Sequence, residues 1–115
     1  MKTRNLPALL LLALALCLPW ACASFLPAPQ QSDLEHLPPQ WKGWGLEDLE
    51  KGRRLYAGTC GRCHQLHPPG EYRADQWERI TRRMQGRAKI DDQARESILA
   101  YLQTLAWNPA AAQKP

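Results

Sequence analysis

Five consecutive residues carry most of the chemistry this sequence can do: Cys60-Gly61-Arg62-Cys63-His64. Two thiols separated by two residues, with an imidazole directly after the second, form the attachment pattern of a c-type haem. The thiols are spaced to form thioether bonds with the two vinyl groups of the porphyrin. His64 then follows without slack, placed beneath the iron as its proximal ligand. Haem iron needs such a ligand, and the group on its other face helps set the potential.

Three other chemistries use similar residues. A thioredoxin-type dithiol requires a strand before it and a βαβ context, whereas residues 46–60 read as helix. Zinc requires four nitrogen or sulfur ligands. Cys60, Cys63 and His67 supply three, with no second Cys/His pair downstream. A disulfide across a two-residue gap closes too short a loop to stabilise much. Haem attachment is the reading that uses all three motif residues, and it implies one covalently bound haem per chain.

The sixth iron position has one leading candidate. Trp77, Ile80 and Met84 fall at i, i+3 and i+7, one face of a helix, with Arg79, Arg82 and Arg83 off that face. A methionine on an apolar stripe is ordinarily core filler. Met84, however, is the only methionine left if an N-terminal leader is removed, and a thioether is a common haem ligand. His67 is too close to His64 to reach the opposite haem face, His36 lies in a Pro-rich run, and Lys89 would have to shed a proton. The alternative is an open sixth site.

The elements that must position these residues are legible in outline. Lys2 and Arg4 precede an apolar run from Leu6 to Leu18, too short to span a bilayer but suited to a signal-peptide core. Ala21-Cys22-Ala23 predicts cleavage before Ser24, with residues 1–23 as signal peptide and the mature chain exported to the periplasm. Cys22 also allows lipoprotein anchoring, the one route to a membrane. Residues 24–45 are rich in proline and read as an extended tether, with Trp41 and Trp44 packing near its end. Helix one is expected from about Leu46 to Thr59, and Gly52 inside it is costly unless another backbone crosses closely. Helix two is expected over Ala74 to Gln85, stopped by Gly86. Helix three runs from Asp91 or Asp92 to about Ala106, on the stripe Ile98, Tyr101, Leu102 and Leu105. Residues 46–106 thus form an all-α haem domain of about three helices, and 107–115 a frayed tail. A carbonyl of Pro68 or Pro69 is the expected acceptor for His64 Nδ1–H. Tyr56, Trp77, Ile80 and Leu102 are expected to wall the pocket.

Charge is unevenly spread. The full chain carries +4. Residues 24–52 are net −3, while residues 53–95 hold ten Lys and Arg against five Asp and Glu. A basic field beside a haem steers an acidic partner protein. Nucleic acid is not expected as a partner, since no binding motif is present.

The run Gly52-x-x-x-Tyr56-x-x-x-Cys60-x-x-Cys63-His64, followed by Ile98-Leu99-Ala100-Tyr101-Leu102, resembles the class I single-haem cytochrome c family over residues 45–106. The resemblance implies a small all-α wrap around one haem and a role as electron carrier. It also implies a crossing of the first and last helices, with Gly52 and Tyr56 meeting Ile98 and Tyr101. The chain departs from the family in that the distal Met usually lies on a loop much farther along than the 20 residues between His64 and Met84. The motif through Pro68, with Tyr72, Trp77 and Met84, is similar to small cytochrome subunits of periplasmic oxidoreductases, sulfite dehydrogenases among them. The expectation is therefore a periplasmic one-electron carrier rather than a stand-alone enzyme, since no catalytic acid–base pair or nucleophile appears. The alternatives are a haem-bearing subunit of a larger oxidoreductase and a haem-based small-ligand sensor.

Overall fold

A computed structural model describes residues 26–107. The expected signal peptide, cleavage site and Cys22 lie outside the described residues, as does the tail beyond Trp107. Among the described residues the chain is helical, with no strand.

Helix α1 spans Leu46–Leu55. Asp48 in its first turn accepts the Gly45 N–H through Oδ2 at 2.9 Å, and acidic residues there suit the positive end of the helix dipole. The backbone continues as a π-type turn over Tyr56–Cys60. Helix α2 spans Ala74–Ala88 and helix α3 Asp92–Leu105. Asp91 caps α3, its Oδ1 accepting the Ala94 N–H at 2.7 Å.

Helix α3 is the spine. Leu99, Ala100, Tyr101 and Leu102 are all buried, and both α1 and α2 pack against it. The cost of Gly52 is explained at the α1–α3 crossing. A Cβ at Gly52 would run into the Ser97 carbonyl oxygen and lie 2.8 Å from Tyr101 Cβ. Only a residue without a side chain lets the two backbones approach this closely.

Two expectations are corrected here. Helix α2 does not stop at Gly86 but runs through it to Ala88. The stop is Lys89, in the left-handed conformation at φ 53°, after which the Ile90 N–H reaches back to Gln85 O at 3.3 Å. Gly86 is an ordinary interior glycine, and a methyl placed on it would have nothing within 4 Å.

The Pro-rich run is also more than an extended tether. Its described part, residues 26–45, contains 3₁₀ turns at Gln31–His36 and Pro39–Trp41 and lies against the helices as a strap. Leu26 and Trp41 are buried in the core. Three polar contacts fasten it: Tyr101 Oη–H to Pro27 O at 2.8 Å, Trp41 Nε1–H to Glu96 Oε1 at 3.2 Å, and Arg53 Nη1–H to Leu26 O at 3.4 Å. His36 sits on the strap against the exposed Trp107, with ring centroids 4.7 Å apart. Prolines remove backbone donors, but they leave side chains and carbonyls free to dock.

Candidate functional site

The π-type turn delivers Cys60 to the side of a cleft between α2, α3 and the loop after the motif. Gly61, which follows, is needed for closure, since a Cβ there would lie 2.6 Å from Ala57 O and 3.4 Å from a Leu66 methyl. Cys60 is half-buried and Cys63 exposed, both as free thiols. Burial pushes the Cys60 thiol pKa up, with a smaller contribution from neighbouring Cys63.

The loop beyond His64 is held by two aromatic side chains with polar tips. Tyr56 Oη–H donates to His67 O at 3.0 Å and accepts the His67 N–H at 3.2 Å. Burial raises the Tyr56 phenol to about 12 despite the bond to His67. Trp77 Nε1–H donates to Pro69 O at 2.8 Å in a buried bond. Tyr72 stands edge-on between the rings of His67 and Trp77, at 5.3 and 5.0 Å.

These bonds correct the expected partner of His64. Pro69 O is taken by Trp77, and Pro68 O accepts the Glu71 N–H at 3.0 Å. His64 Nδ1 lies instead 2.8 Å from Gln65 O.

The cleft holds about 160 Å³ of free space, is open to solvent, and its walls are largely apolar. Trp77, Ile80, Thr81, Met84 and Ala88 line it from α2, one helical stripe, while Ile98 and Leu102 line it from α3. Tyr56, Cys60, His64 and His67 complete it from the motif side. The structure therefore brings Cys60, His64 and Met84 to one cleft, together with the four expected wall residues. It does not bring Cys63 there.

No match to the chain is found among protein-family models, curated proteins or solved structures.

Sequence reasoning missed several lining residues. Thr81 and Ala88 continue the Trp77 stripe at i+4 and i+11, so a longer helical register would have found them. Arg83, read as lying off the stripe, lines the cleft as well; a long side chain reaches around its helix to a rim. Arg95 on α3 is the least expected. Its Nε is buried with no hydrogen-bond partner, and its Nη1 lies 3.5 Å from Glu78 Oε1, which also receives Arg82 Nη2 at 2.6 Å.

The donor set can be tested against a haem. The cleft's apolar walls suit a flat macrocycle, a thiol and an imidazole stand on one side, and a thioether is carried on α2. Among the described residues, no three His, Cys, Asp or Glu side chains are grouped to hold a metal ion by themselves.

Proposed function

We propose that the chain is a c-type electron-transfer protein, in line with its resemblance to class I single-haem cytochromes c. The observation that carries this reading is the convergence of Cys60, His64 and Met84 on one apolar cleft directly beside a Cys-x-x-Cys-His motif. A bound haem supplies a one-electron Fe(III)/Fe(II) couple.

The protein's own residues do the rest. Cys60, in the cleft, and Cys63, at its edge in the motif, would hold the haem through thioethers, formed by adding each S–H across a vinyl double bond with no oxidant or leaving group needed. His64 offers an imidazole nitrogen to the metal, and Met84 offers its thioether sulfur from α2. Trp77, Ile80, Tyr56 and Leu102 exclude water and so limit reorganisation when charge changes. Arg83, Arg87 and Lys89 form no ion pair among the described residues. All three lie within five residues of Met84 in the chain, and Arg83 lines the cleft; this positive charge suits an acidic redox partner or a larger oxidoreductase in which this chain is the haem-bearing subunit.

The test is to express the full chain in a host competent for haem maturation and export. Expected are a coloured product whose intact mass includes one haem, and a weak red charge-transfer band in the ferric state with slow CO binding when reduced. Met84→Ala should abolish that band while keeping the mass. If the wild-type product lacks haem, the reading fails. If it carries haem but binds CO rapidly, the small-ligand sensor is favoured.

A further inference from the structure

Among the described residues, the cleft is lined by two guanidinium side chains, Arg83 and Arg95, and by no carboxylate. Arg83 reaches solvent and needs no explanation. Arg95 does need one, because its side chain is only 20% exposed and its Nε is buried without an acceptor. A guanidinium does not lose its proton in a protein, and a buried charge without hydrogen-bonded compensation is strongly unfavourable.

The acids around Arg95 do not meet that need. Glu78 of α2 is 3.5 Å from Nη1 and is shared with Arg82. On α3 and at its start, Asp91 caps Ala94, Asp92 accepts from Gln85 Nε2 at 2.8 Å, and Glu96 accepts from Trp41. From the motif side the cleft receives His64, His67, Tyr72, Tyr56 and Cys60, none of which is a carboxylate. Among the described residues Arg95 Nε is left without an acceptor, and an occupant of the cleft that Arg95 lines can supply one.

We propose that Arg95 is the carboxylate-binding residue of the cleft, donating to an anionic arm of the occupant. On the proposed function that arm is a haem propionate, so the inference rests on the haem reading. The guanidinium fork matches a carboxylate better than a point charge does. Arg95 then fixes the carboxylate edge of the macrocycle as the two thioethers fix the vinyl edge.

The test uses the full chain, matured with haem, as wild type, Arg95→Gln, Arg95→Lys and Glu78→Gln. Intact mass is read first, then midpoint potential against pH. An arginine beside a carboxylate lowers its pKa by roughly one to three pH units. Its removal in Arg95→Gln should raise that carboxylate by a comparable amount, and across the newly titrating range the potential should fall with rising pH. Wild type, Arg95→Lys and Glu78→Gln should show a flatter profile there. His64, His67 and Arg83 are present in all four proteins, so their contributions cancel in the comparison. A haem-loaded Arg95→Gln with the wild-type profile overturns the inference. If that variant does not accumulate, the carboxylate bands of the redox-difference infrared spectrum decide between wild type and Arg95→Lys. A shift supports the contact and coincident bands overturn it. A wild-type product without haem overturns the haem reading itself.

Discussion

Replacing Gly52 by alanine tests the helix crossing that holds the fold together. In an isolated helix the change would stabilise by about 1 kcal/mol. Here the new methyl would collide with the Ser97 carbonyl oxygen and sit 2.8 Å from Tyr101 Cβ and 2.9 Å from the Ser97 carbonyl carbon. Two of those atoms belong to backbone, and Tyr101 is fully buried, so no side chain can swing aside. The helices must separate by about an ångström to clear the Ser97 carbonyl oxygen, which places the cost at or above the upper end of the about 1–3 kcal/mol of overpacking. After subtracting the gain in helix propensity, a net loss of about 2 kcal/mol remains. For a domain of this size that is a fall in Tm of about 8–16 °C. Gly86→Ala is the internal control. Its Cβ would meet nothing within 4 Å, so it should gain up to about 1 kcal/mol. Far-UV circular dichroism melts of both variants against wild type measure the difference. A Gly52→Ala protein that melts with or above wild type would refute the close crossing.

Other perturbations reach different parts of the structure. Trp77→Phe keeps an aromatic ring but strands Pro69 O in a buried position, and should cost about 1–3 kcal/mol in chemical denaturation; an unchanged midpoint would exclude that bond. Alkaline stability follows the buried phenols. Burial raises Tyr56 to about 12 and Tyr101 higher still, and Tyr101 is opposed by nearby Arg53. A raised folded pKa means the contribution is complete below the unfolded value near 10 and is lost as pH climbs through the folded one. Stability should therefore drop between about pH 10 and 12, and Tyr56→Phe should make that drop shallower in a pH titration of the unfolding midpoint. Equal slopes in the two proteins would contradict the assignment.

The three helices are legible in the sequence because their signals are local: the stripe from Ile98 to Leu105, the aspartates before α3, and a glycine whose cost requires a crossing. The end of α2 is not, because a lysine takes the left-handed position where sequence preference favours glycine. The strap is hidden for a related reason. Proline density argues against helix and strand, yet says nothing about docking by Leu26 and Trp41 or about Tyr101 reaching Pro27. In the cleft, apolar lining is readable from periodicity. Arg95 is not, since a charged residue near a helix start reads as solvated, and its burial depends on how α2 lies against α3.

Met84 is carried within α2, four residues before the helix ends at Ala88. A sulfur borne on a flexible segment can be swapped for a competitor by a small swing of the chain. Here the same excursion demands unravelling the terminal turn, and its successor helix begins at Asp92, leaving three residues of slack. On the proposed function, departure of the thioether would thereby be tied to fraying, and amide exchange at Gln85–Ala88 should report it in the same time window.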